Sequence, residues 1–123
     1  MSEPMHYESP KPLSKQAAVA VFDKGVPVEV SEALIGLALN EPDWRWVQEV
    51  ALRYLQCPDE ALRMTAATAL GHLARLHGTL DLDRVVPALQ RLLADPATEG
   101  RATDALDDIS TFAGGPQPPA NRE

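Results

Sequence analysis

Cysteine occurs once in the 123 residues, at Cys57, and aromatic residues make up only 5% of the chain. A lone thiol excludes an internal disulfide and a cysteine-built metal site. With so few rings, Ala and Leu carry most of the apolar mass, a balance that favours helices. Positive charge is also scarce: eleven Lys and Arg stand against eighteen Asp and Glu, a net charge of -7. Such a chain repels phosphate backbones and attracts basic partners, so nucleic acid is not an expected ligand. No stretch approaches the roughly 18 uninterrupted apolar residues of a membrane span. The opening MSEPMHYESPKP lacks the basic and apolar regions of a signal peptide. The expectation is a cytoplasmic protein without a membrane partner.

What is present reads as one helical domain. Hydrophobic residues reach 45% and charged residues 24%, ordinary globular values. Residues 1–12, with three prolines, and GGPQPPANRE at 114–123 cannot bury enough surface to offset ordering entropy. Both are expected to be loose tails around a domain at 13–113. Within it, apolar positions recur at helical spacing and Pro, Asp and Gly punctuate them, giving six helices. These run from about Ser14 to Phe22, Ser31 to Leu39, Asp43 to Gln56, Asp59 to His77, Asp83 to Ala94, and Thr98 to Phe112. VPVEV, before the second, looks extended. Pro87 either delays the fifth helix to about Val86 or kinks it.

The third and fourth helices repeat in the fifth and sixth. VQEVALRYLQCPDEALRMTAA, Val47 to Ala67, lies without gaps on VVPALQRLLADPATEGRATDA, Val85 to Ala105, at an offset of 38 positions. Val47/Val85, Arg53/Arg91, Leu55/Leu93, Pro58/Pro96, Arg63/Arg101, Thr65/Thr103 and Ala67/Ala105 are identical pairs. A period near 40 with two helices per unit marks an α-solenoid. RYLQCPDEALRMTAATALGHLARL resembles a HEAT repeat through Pro58, Arg63, Ala66, Ala69, Leu70 and Gly71. The second copy departs after Ala105, where ALDDI replaces ALGHL and no glycine answers Gly71. The resemblance implies an all-α, short HEAT-like solenoid of about three helix pairs, the second helix of each lining a concave surface. The wider stretch from Trp46 to Ile109 is similar to small stand-alone HEAT-like proteins of bacteria. Some of these are immunity proteins that neutralise toxins passed between competing cells.

On the fourth helix, Leu62, Ala66, Ala69, Leu70, Leu73 and His77 share a face, with Met64, Thr68, Gly71 and Arg75 opposite. Glycine inside a helix costs about 1 kcal/mol relative to alanine. A closely approaching neighbour is the expected return. On the sixth helix, Asp104, Asp107, Asp108 and Thr111 fall within an arc of about 100°, opposite Ala102, Leu106 and Ile109. Aspartates near a helix C-terminus oppose the macrodipole, and Asp104 repels Asp108. That acidic strip is a candidate binding surface, and by the resemblance it neighbours the Met64 and Arg75 face. On the third helix Val47, Val50, Ala51, Tyr54 and Leu55 form one apolar stripe; Trp44 points to it, whereas Trp46 sits at its flank and is a candidate contact residue.

Catalysis and metal binding find no support in the pattern. His72 and His77 share no helical face, Cys57 has no base at helical spacing, and Asp81 and Asp83 read as helix caps. Neither an enzyme nor a cofactor is expected. The candidate partner-binding residues are Asp104, Asp107, Asp108, Thr111, Arg75, Met64 and Trp46. The expected function is protein binding. Through the resemblance, it is neutralisation of a basic, nuclease-type toxin domain; the alternative is a cytoplasmic adaptor or scaffold unrelated to toxins.

Overall fold

A computed structural model describes residues 13–114. The expected tails at 1–12 and 114–123 lie outside the described residues, Gly114 excepted. Among the described residues the fold is all-α, a short solenoid of six helices: α1 (Lys15–Lys24), α2 (Pro27–Asn40), α3 (Trp44–Tyr54), α4 (Glu60–His77), α5 (Leu82–Leu92) and α6 (Glu99–Phe112). Successive helices pair as α1/α2, α3/α4 and α5/α6. The second members lie side by side, with α4 flanked by α2 and α6.

Local chemistry sets most of the boundaries. The Ser14 hydroxyl accepts from the Ala17 N–H, and the Asp43 and Asp59 carboxylates accept from Trp46 and Leu62. Each satisfies a donor that has no partner within the first turn. Gly25 and Gly78 end α1 and α4 in the left-handed region, at φ 76° and 67°.

Two expectations need correction. VPVEV is not extended: α2 starts at Pro27, whose fixed φ suits a first helical position and whose missing N–H is no loss there. The bond from Val30 N–H to the Val26 carbonyl, at 2.9 Å, starts the ladder. Pro87 does not delay α5, which begins at Leu82. Its ring is exposed and it forfeits one bond, while Val85, Val86, Ala88, Leu89 and Leu92 bury the other face.

The core centres on α4. Leu62, Ala66, Ala69, Leu70 and Leu73 are buried as the wheel predicts, but Ala67, Gly71 and Ala74 on the other side are buried too. A helix with neighbours on both flanks has little free surface. A Cβ on Gly71 would sit 3.4 Å from the Ala105 Cα and 2.9 Å from an Asp108 carboxylate oxygen. Gly71 therefore belongs to the α4–α6 seam, with the close neighbour that a helical glycine implied, and not to the wall on which the wheel grouped it with Met64 and Arg75. Side chains cross the seams about one turn away from the residues that the repeat aligns. Ser31 meets Thr65 at 3.2 Å, Arg101 donates to the Thr68 hydroxyl at 3.1 Å, and Arg75 meets Asp108 at 2.9 Å.

The turns are tied down by side chains as well. Arg63 donates to the Cys57 and Pro58 carbonyls at 2.8 and 3.0 Å, and lies 3.7 Å from the Asp95 carboxylate. It thus joins the turn after α3 to the aligned turn after α5. The buried Thr98 hydroxyl donates to the Leu92 carbonyl at 2.8 Å, which closes the α5–α6 connection.

Two helical glycines should respond oppositely to substitution. Nothing lies within 4 Å of a Cβ at Gly36. Gly36→Ala should raise unfolding free energy by about 0.5–1 kcal/mol. Gly71→Val should lower it by about 1–3 kcal/mol through overpacking against α6. Denaturant titration of both variants checks the pair.

Candidate functional site

The expected surface residues divide between two places. Asp104, Asp107 and Thr111 are exposed on α6, and Met64 is half-buried on α4. Among the described residues, Asp104 and Asp107 have no ion-pair partner. Asp108 differs, because Arg75 reaches across from α4 to its carboxylate. That cation offsets the cost of a carboxylate near the C-terminal end of α6. Arg75 also contacts Nδ1 of His72, so the seam carries a linked group of His72, Arg75 and Asp108.

Burial lowers the His72 pKa from its ordinary value of 6.5, and the nearby Arg75 charge lowers it further, with Asp108 opposing. Folding thus favours the neutral imidazole over the charged one. Since the unfolded chain binds the proton more tightly, this residue makes the fold less stable as pH falls below about 6.5. NMR titration should place His72 below the ordinary histidine range. Arg75→Met should raise its pKa, and Asp108→Asn should lower it.

Trp46 lies elsewhere, in an open groove of about 710 Å³ between the N-terminal ends of α3 and α5. Trp44 and Trp46 both line it and are half-buried, each packed against the core. Trp44 is therefore less enclosed than the sequence implies, since its ring also serves Arg45, whose guanidinium carbon lies 4.6 Å from the ring centre. The Lys15 ammonium sits 5.5 Å from the Trp46 ring and 2.6 Å from the Asp43 carboxylate. Arg84 bonds both carboxylate oxygens of Glu49 and lies 3.5 Å from Asp81.

These pairs shift the acids and bases concerned. The Lys15 hydrogen bond holds the Asp43 pKa down, and the Asp43 bond raises Lys15 in turn. The Arg84 bond likewise holds Glu49 down. The floor of the groove is fixed by Gln48, which is buried and accepts from the Asp81 backbone N–H at 2.7 Å. Asp81 stands at the N-cap position of α5 but makes no side-chain cap bond, contrary to expectation. Its carboxylate faces Arg84 instead.

Sequence reasoning missed the pairings beside Trp46: Lys15 with Asp43, Asp81 with Gln48, and Arg84 with Glu49. The partners are 28 to 35 residues apart, so no helical spacing announces them. The available signal was the repeat itself, which places the starts of α3 and α5 side by side.

Other chemistry is sparse among the described residues. No group of three or more His, Cys, Asp or Glu could hold a metal ion, and no helix is long and apolar enough to cross a membrane. Cys57 is half-buried, its thiol 3.4 Å from the Asp59 carbonyl.

No family model and no curated protein matches the chain. A solved structure does: a chain in the crystal structure of the CDI complex from Cupriavidus taiwanensis LMG 19424. The two are 31% identical, with a TM-score of 0.76, over 89% of this chain and 96% of that one. Identity at that level over nearly all of both chains, on one fold, marks common descent, and the chain belongs to the family of that component of the CDI complex.

Proposed function

We propose that the protein is an immunity-type inhibitor in a contact-dependent inhibition system, acting by binding a toxin and not by catalysis. The observation that carries this reading is the likeness, nearly end to end, to a component of a CDI complex. Inhibition by binding needs a stable surface and no reacting group, and the α4–α6 face meets that need. We read the two aligned copies as HEAT-type units, with α2, α4 and α6 as the inner helices.

The partner is a basic toxin domain of nuclease type. A net charge of -7 steers such a domain toward this chain, and Asp104 and Asp107 offer carboxylates that no cation of the described fold neutralises. On docking, they occupy the groove in which the toxin would hold a phosphate backbone. Charge complementarity sets the rate of association, while a few desolvated anchors set the lifetime. The encounter takes place in the cytoplasm.

The test uses the product of the adjacent gene, which the immunity reading expects to carry the toxin domain. The complex should form and weaken with salt. Asp104→Asn with Asp107→Asn should slow association about tenfold with little change in stability. Asp108→Asn is measured separately, because it also releases Arg75. Absence of any complex sinks the immunity reading. A salt-insensitive complex that the double variant leaves unchanged sinks the acidic-face mechanism alone.

A further inference from the structure

The Trp44/Trp46 groove plays no part in the α6 face, yet its composition is that of a contact surface. Tryptophan and arginine are the residues most enriched where protein interfaces gain their affinity. Here two indoles stand half-open in one groove with Asp43, Glu49 and Asp81 around them. Every cation nearby is drawn in: Lys15 to Trp46 and Asp43, Arg45 to Trp44, and Arg84 to Glu49 and Asp81. Arg45 and Arg84 line the groove of about 710 Å³ itself, while Lys15 lies at its edge, against the Trp46 ring and the Asp43 carboxylate.

We propose that the groove is a second contact surface, which receives a lysine or arginine side chain of a basic protein partner against Trp46 and Asp43. Lys15, at the edge of the groove, competes for those two groups in the free protein. Its ammonium makes the two contacts that an incoming cation would make, a carboxylate at 2.6 Å and an indole face at 5.5 Å. It is also exposed, so the pair is weak and exchange costs little. Arg84, bonded to both oxygens of Glu49, stays in place as the wall.

The position of the groove connects it to the α6 face. The turn after α4 lines the groove through Thr79, Leu80 and Asp81, and it meets the end of α6, where the Phe112 carbonyl lies 3.6 Å from where a Cβ on Gly78 would stand. A partner seated on the C-terminal half of α6 therefore meets the groove by reaching across one turn. The inference rests on the immunity reading for the basic character of the partner, but the groove can be tested without that partner.

Both tryptophans of the chain line the groove, so intrinsic fluorescence reads it directly. The full chain is titrated with a hexa-arginine peptide. A saturable change in emission is expected. Lys15→Ala should tighten binding about fivefold by removing the competitor, whereas charge-matched Lys24→Ala, at the other end of α1, should change it less than about twofold. Trp46→Phe, with Trp44 as reporter, should weaken it several-fold. An unchanged emission, or equal effects of the two lysine variants, overturns the proposal. A flat peptide titration leaves the α6 mechanism standing, and a toxin domain that fails to bind leaves the lysine comparison valid.

Discussion

Close approach of α4 and α6 is the constraint from which the other features follow. The two helices meet where Gly71 faces the Ala105 backbone, a contact that a Cβ would crowd. Because the seam is narrow, Arg75 can span it to Asp108 and Arg101 can span it to Thr68. A wider seam would leave all four polar groups to water and would loosen the row of inner helices. The small residues of α4 are thus a spacing device: they are buried but small, and their effect is to let Leu70, Leu73, Leu89 and Ile109 be fully enclosed.

Side-chain length then decides what each seam displays. Arginine reaches across from either helix, while aspartate stays near its own backbone. Asp108, beside the seam, is consequently tied to Arg75, whereas Asp104 and Asp107 form no ion pair among the described residues. The strip looks uniform in sequence, but its members are not equivalent: one carboxylate belongs to the fold and two are left to the solvent. At the α3–α5 corner the same logic gives a different outcome, with Lys15, Arg45 and Arg84 turned onto rings and carboxylates of their own chain.

Much of the fold was legible because helices advertise themselves locally. The stripe on α3, the caps Ser14, Asp43 and Asp59, and the stops Gly25 and Gly78 all act within a few residues. The misreadings came where a local cue has two meanings. Pro27 opens a helix and Pro87 sits inside one, and which applies depends on apolar burial beyond the turn in question. The α6 strip was legible because helical periodicity groups its aspartates. The groove was not, since Trp46 and Gln48 on α3, Leu80 in the turn after α4 and Arg84 on α5 are brought together only by packing. Gln48 is the clearest case: nothing about a polar residue on α3 announces that it accepts a bond from Asp81.

The layering has a dynamic corollary. Among the described helices, α4 has an inner neighbour on each flank, but α6 has one on a single flank. Detaching α6 disrupts one seam where detaching α4 would disrupt two, so the lowest-energy partial opening starts at α6. Any ligand that grips α6 only in its docked form raises the free energy of that opening in proportion to the logarithm of its concentration over its dissociation constant. Amide exchange along α6 would then measure occupancy of the surface, and the least anchored helix of the inner row would become the one most stabilised by recognition.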